Sequence, residues 1–307
     1  TWIAAIQMAM PVYAEYTQLT GERKYLDYAM NSYKWSRDTL AGGLFNKKEG
    51  LWWRDKDYVP PYKEKDGKNC YWSRGNGWVY AALVRVMETL PASDPDYQYL
   101  KADFVKMSRA LLKCQRKDGF WNVSLVSPVT YGGPEMTGTA LFLYGMAWGV
   151  RQGILPQKTY QKAMDKAWAA IASCVHDNGF IGYNQGTGKD PSAGQPVTFT
   201  SVPDFEDYGT GCFILGAVEY YRLFSKDEKW PDGSSMSPWF QNVGKVDVAT
   251  LGKRYVVTDY GVKKDSAIVQ TQAIQAVIDR AANEGGGVIV IPQGTFMSGA
   301  LFFRQGT

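Results

Sequence analysis

Through the first 224 residues, apolar side chains return at helical spacing and are broken by short glycine-rich stretches. The run from Ile6 to Tyr16 predicts a first helix, and the turn from Thr20 to Tyr25 leads into a second that ends near Thr39. The same spacing predicts helices over 79–89 and 99–115, over 140–152 and 159–175, and a last one over 212–224. Pro95 and Pro156 fall between these segments, where proline is tolerated.

The turns repeat. One type reads Gly50-Leu-Trp, then Gly119-Phe-Trp, then Gly179-Phe-Ile. A second reads Gly75-Asn-Gly-Trp78, Thr137-Gly-Thr-Ala140 and Gly209-Thr-Gly-Cys212, each opening an apolar helix. A helical hairpin cannot bury its apolar stripe alone, so such units stack or close into a ring. The loops are long and carry Trp, Arg and Asp at corresponding places, which predicts one functional face and favours a toroid over an open solenoid.

The pattern stops at Phe224. Residues 225–245 accumulate Pro, Gly and Ser and read as a linker. Beyond it, Arg254 to Asp259 alternates like a strand, and Thr271 to Asn283 is amphipathic with Ala273, Ile274, Val277, Ile278 and Ala281 on one face. Glu284-Gly-Gly-Gly287 ends that helix, Val288 to Pro292 predicts a short buried strand, and Gly299 to Phe303 another. The predicted organisation is a helical domain over 1–224, a linker over 225–245 and a strand-rich piece over 246–307.

Composition narrows the chemistry. A net charge of +4 over 307 residues is too weak to argue for nucleic acid and only just compatible with an acidic small ligand. No run is long and apolar enough to predict a membrane span. The four cysteines, Cys70, Cys114, Cys174 and Cys212, have spacings that match neither a disulfide framework nor a metal clip. The single histidine, His176, lies in a helix-exit sequence and reads as structural, so neither a histidine-based triad nor a His-rich zinc site is expected. No metal and no cofactor is implied. Aromatic residues reach 14%, many of them beside glycine in loops, which suits a cleft that stacks on sugar rings as well as it suits a core. The chain opens inside a helical segment without a start methionine or leader, so upstream sequence is expected to precede Thr1. Export to the periplasm or beyond is compatible with this, and nothing fixes location or oligomeric state.

The segment Tyr71-Trp72-Ser-Arg74-Gly-Asn-Gly-Trp78 resembles the signature of glycoside hydrolase family 105, the unsaturated rhamnogalacturonyl hydrolases, close to family 88. Trp2 to Pro11 and Gly209-Thr-Gly211 resemble further segments of that family, so the likeness runs from Trp2 to about Phe224. It implies a mainly α fold, a partial (α/α)6 toroid holding about seven of twelve helices. The tail is similar to the opening of a family 28 glycosidase, carried by Asp259 to Asp265, Thr271 to Gln275, Gly285-Gly-Gly287 and Val290 to Phe296. That likeness implies the truncated start of a right-handed parallel β-helix without its catalytic residues.

The family 105 resemblance also implies a reaction and a substrate, an acidic oligosaccharide of pectin type that a lyase has left with a 4,5-unsaturated uronic acid at its non-reducing end. A carboxylic acid protonates C4, water adds at C5, and the hemiketal collapses to release the remaining sugar. Arg74 is the candidate for the substrate carboxylate, because arginine binds carboxylates through two parallel hydrogen bonds. Trp2, Trp53, Trp72 and Trp78 are the candidate walls, and Asp207 is a candidate substrate contact. Gly75 and Gly77 are expected to let a ligand approach the backbone. The family's catalytic acid aligns with position 4, where this chain has Ala4. An engineered change, an inactive natural relative and a different acid remain open as explanations. Candidate acids for the last are Asp55, Asp57, Asp204, Glu206 and Asp207. The loop Tyr183 to Asp190 lacks phosphate-loop spacing and reads as a cleft edge with polar sugar contacts.

Overall fold

A computed structural model describes residues 2–186, 191–201, 208–224, 251–304 and 306. The chain separates into two units, Thr1–Asp227 and Glu228–Thr307. The expected linker over 225–245 lies outside the described residues.

The first unit is built from helices α1 (Ala4–Thr20), α2 (Lys24–Asp38), α3 (Ser73–Glu88), α4 (Pro95–Cys114), a short α5 (Pro128–Tyr131), α6 (Met136–Arg151), α7 (Gln157–Ala172) and α8 (Tyr208–Phe224). Helices α1, α3, α6 and α8 pack in a row, and α2, α4 and α7 pack against α1, α3 and α6 respectively. Burial separates the two layers. Every residue of α6 from Met136 to Val150 is buried, whereas α7 buries only a stripe that includes Tyr160, Ala163, Met164 and Ala167. At the ends of the row, α1 exposes Met8, Val12 and Leu19, and α8 exposes Ile214, Val218 and Phe224. This is the inner and outer layering of an α/α toroid.

Helix ends follow from local chemistry. Gly21 stops α1 in the left-handed conformation, its N–H donating to Thr17 O at 2.8 Å. Pro95 is the first residue of α4, not a residue between helices, because Asp94 caps it by accepting from Asp96 N at 2.8 Å. Glu135 caps α6, accepting from Thr137 N at 3.1 Å and Gly138 N at 2.7 Å while fully buried.

The repeated glycine-aromatic turns are tight hairpins between the layers. Gly50, Gly119 and Gly179 all have positive φ, which explains the glycine at each repeat. At Gly119 space adds to conformation, since a Cβ would stand 2.3 Å from Lys166 O. The turns lead into two small antiparallel ladders, β1 (Phe45–Asn46) with β2 (Leu51–Trp52) and β3 (Trp121–Asn122) with β4 (Pro134–Glu135). A ring of ion pairs braces the helices. Asp103 on α4, buried, accepts from Tyr33 OH at 2.9 Å and from Arg37 Nε and Nη2 at 2.6 and 2.7 Å. Arg151 on α6 likewise forks onto buried Glu219 of α8 at 3.0 and 3.1 Å.

In the second unit β5 (Arg254–Val256) pairs in parallel with β6 (Val288–Val290), with Tyr255 opposite Ile289. Helix α9 (Thr271–Asn283) makes the crossover and buries Ile274, Val277, Ile278 and Ala281 with Tyr255, Val257 and Val262. A parallel bridge joins Val269 to Met297, the side-by-side pairing from which a parallel β-helix starts. Two expectations are corrected here. Strand β6 is half-buried, not buried, and Ile291 beyond it is 54% exposed. Residues 299–303 form no strand; among the described residues no neighbouring strand is there to pair them, and Phe302 and Phe303 lie open.

Candidate active site

The motif Trp72–Trp78 occupies the first two turns of α3, six residues earlier than the apolar spacing alone indicates. Its residues hold three segments together. Asn76 clamps β2, its Nδ2 donating to Trp52 O at 3.0 Å while its Oδ1 accepts from Trp52 N at 2.8 Å. Gly75 and Gly77 serve helix packing, which corrects the expectation that they admit a ligand. A Cβ at Gly75 would stand 2.7 Å from the Trp72 ring and 3.1 Å from Ile3, and one at Gly77 would stand 2.8 Å from Leu141.

Arg74 is buried and points its donors at protein. Nη1 donates to Gln185 O and, at 3.2 Å, to Tyr208 OH; Nη2 donates to Gly186 O at 3.1 Å. Its guanidinium also lies over two rings, 4.7 Å from the centroid of Trp72 and 5.0 Å from that of Tyr208. No carboxylate pairs with it among the described residues, so carbonyl dipoles and ring faces balance the buried cation. Trp72 is buried too, its Nε1 donating to Gln185 Oε1 at 3.0 Å. Gln185 Nε2 then donates to Pro191 O and Ala193 O at 3.1 and 2.7 Å. The loop read as a cleft edge of sugar contacts is thus anchored by Gln185; its residues 187–190 lie outside the described residues.

A second guanidinium meets Trp72. Arg54, in the loop after β2, lies 5.8 Å from the ring centroid, and its Nη1 pairs with Asp55 Oδ2. Asp55 Oδ1 accepts from Asp57 N at 2.8 Å, which leaves Asp55 engaged at both oxygens, while Asp57 is exposed. Arg54 O accepts from Ile3 N at 2.9 Å, so the backbone of Arg54 runs beside the segment that carries Trp2 and Ala4. Trp2 is 48% exposed and available for stacking, whereas Ala4 is buried as the first residue of α1. Trp53 packs on Tyr71 with ring centroids 5.7 Å apart, and Trp78 follows Arg74 by one helical turn, partly buried against the core. Asp204, Glu206 and Asp207 lie outside the described residues, although Tyr208, next in sequence, reaches the cluster.

Among the described residues, several buried polar atoms of these segments have no hydrogen-bond partner: Arg54 Nε, Ser73 Oγ, Ser124 Oγ and Asn184 Oδ1. Ser124 is bridged to Trp72 through the backbone, and Asn184 precedes Gln185. Unsatisfied buried groups are expensive. Arg54, Gln185, Tyr208 and the cap Glu135 were not singled out from sequence; only Arg54, in the turn that repeats after Gly50, carried a usable signal. His176 has the structural role expected, stacked on Phe199 at 3.9 Å with Nε2 at 2.8 Å from Phe199 O. Burial pushes the Cys114 thiol up to about 11 and that of Cys174 to about 12, away from the reactive thiolate. Among the described residues no group of three His, Cys, Asp or Glu side chains could hold a metal, and no helix is long and apolar enough to cross a membrane.

Comparison with known proteins places this geometry in a family. Residues 1–224 match Glycosyl Hydrolase Family 88, and residues 255–307 match the rhamnogalacturonase A/epimerase, pectate lyase-like family. An unsaturated 3S-rhamnoglycuronyl hydrolase of Formosa agariphila is 34% identical over 227 residues, which is 72% of this chain and 58% of that protein. The chain therefore spans well under two thirds of that relative's length. A glycosyl hydrolase family 88 structure from Bacteroides vulgatus superposes with a TM-score of 0.67 at 34% identity, covering 73% of this chain and 63% of the other. A family 105 glycoside hydrolase structure from C. acetobutylicum gives 0.56 at 26% identity, covering 72% and 65%. By its match across residues 1–224, the chain belongs to glycosyl hydrolase family 88.

Proposed function

We propose that the helical unit removes a 4,5-unsaturated uronic acid from the non-reducing end of lyase-generated pectin-type oligosaccharides. One observation carries this: a protein sharing 34% identity over 72% of the chain is an unsaturated rhamnoglycuronyl hydrolase. The cationic, aromatic cluster of Trp2, Arg54, Trp72 and Arg74 supports the same reading, since it offers a positive field and a flat exposed face to an acidic ring. The chemistry is hydration of a vinyl ether. A proton goes to C4, hydroxide from water ends on C5, the C5 hemiketal opens to a ketone and frees the ring oxygen as a hydroxyl on C1, and that hemiacetal collapses to an aldehyde as the aglycone leaves with its oxygen and a proton. Trp53, Trp78 and Asp207 are proposed as further substrate contacts. The proposed boundaries are a glycosidase domain over 1–224, a linker over 225–245 and a β-helix fragment over 246–307.

A second reading is favoured by one residue. Ala4 stands where the resemblance places the acid, and it cannot transfer a proton. On this reading the unit binds unsaturated oligosaccharides without hydrolysing them. Ultraviolet absorbance of the vinyl ether separates the two in the full protein with a lyase-generated disaccharide. Loss of absorbance with the parent protein supports the hydrolase. No loss with the parent and clear loss with Ala4→Asp supports the binding form. No loss with either, and no binding, removes both.

A further inference from the structure

We propose that Arg54, and not Arg74, meets the carboxylate of the terminal uronate; this deepens the reading above and rests on it. Three of the five N–H donors of Arg74 are directed to Gln185 O, Gly186 O and Tyr208 OH, and its guanidinium lies 4.7 and 5.0 Å from the ring centroids of Trp72 and Tyr208. Its work is to fasten Gln185 and Gly186 to α3. A ligand that took those donors would have to break that fastening.

Arg54 is placed differently. One nitrogen, Nη1, is held by Asp55, and Asp55 is itself fixed by the backbone of Asp57. Nε is buried and has no acceptor, and no acceptor for Nη2 is found among the described residues. Among the described residues, the donors left without an acceptor are therefore the Nε–Nη2 fork, the parallel pair that matches the two oxygens of a carboxylate. The Asp55 contact fixes the plane of the fork before any ligand arrives, which lowers the ordering cost of binding. Position adds the rest: the hydrogen bond from Ile3 N to Arg54 O sets the backbone of Arg54 beside the segment that carries exposed Trp2 and position 4. A ring lying on Trp2 would carry its carboxylate toward Arg54.

The test is calorimetric titration of the full protein with a 4,5-unsaturated uronate disaccharide and with the same disaccharide reduced at its carboxyl group. Arg54→Gln is expected to raise the Kd for the uronate by about 30-fold or more and to leave the reduced sugar within about two-fold, as for loss of one member of a charged, hydrogen-bonded pair. Arg54→Lys keeps the charge without the planar fork and is expected to recover part of the loss. It also serves alone if Arg54→Gln fails to fold, because it should weaken only the uronate. Equal changes for both sugars, or an unchanged Kd for the uronate, would overturn the assignment. A parent protein that binds both sugars equally overturns it while leaving the unsaturated-sugar reading standing. A parent that binds neither removes both.

Discussion

Helix α6 and strand β6 are both written in apolar residues, yet the fold treats them in opposite ways. Met136 to Val150 is buried on every side because α3, α7 and α8 surround it. Val288 to Val290 is only half-buried, with β5 on one edge and α9 on one face. The lesson is that an apolar run specifies the element, whereas burial is supplied by neighbours. The helical unit supplies them through a two-layer row of hairpins, and the strand-rich unit does so through a single helix.

That contrast fixes the size of mutational effects. Phe142→Ala on α6, which removes a ring packed 5.2 Å from Trp121 and 6.3 Å from Tyr80, is expected to destabilise the helical unit by ~3–5 kcal/mol in urea unfolding. A loss below ~1 kcal/mol would mean that α6 is not the surrounded helix described. Asp103→Ala should cost ~3 kcal/mol, because it strands Arg37 and Tyr33 between α2 and α4. In the second unit, Ile289→Ala should cost only ~1 kcal/mol, its side chain being half in water already. An equal cost for Phe142→Ala and Ile289→Ala would erase the distinction between the units.

The same comparison can be sharpened by pH. Glu284 is held down to about 2 by Lys253 first, then Arg280 and Tyr255. A carboxyl depressed in the folded state stabilises it fully above the ordinary value of 4.5, and that contribution fades as pH falls from there toward 2. Hydrogen exchange followed between those limits should therefore show protection lost at the C-terminal end of α9 before α6. Simultaneous loss would argue against a separately held unit. A smaller effect concerns the thiols. Burial holds Cys114 and Cys174 at about 11 and about 12, so a thiol reagent at neutral pH should label neither until the helices unfold.

Much of the helical unit was legible in the sequence because the 3.6-residue period and the positive-φ glycines at 50, 119 and 179 are local signals. Helix starts were less so. Helix α3 begins at Ser73 because its first turns, glycine-rich and polar, are shaped by contact with Ile3, Trp52 and Leu141, and a period search sees only the apolar turns after Trp78. In the tail, Gly299 to Phe303 has a strand's composition without a partner to pair it, which no local pattern can report. Of the candidate site, the sequence marks the Trp-Arg motif, which lies on the first turns of α3, but the partners of Arg74 lie 111 and 134 positions away. Arg54 and Arg74 become distinguishable only when their donors are counted in space.

The central claim is that an acidic, unsaturated sugar sits beside the start of α3 within reach of Arg54. Its most direct test is a crystal structure of the full protein with a 4,5-unsaturated uronate disaccharide bound. The account predicts the sugar ring against Trp2, its carboxylate on the Nε–Nη2 edge of Arg54, and Arg74 still fastened to the carbonyls of Gln185 and Gly186. A ligand seated elsewhere in the molecule, or one whose carboxylate has displaced those carbonyls from Arg74, would contradict it.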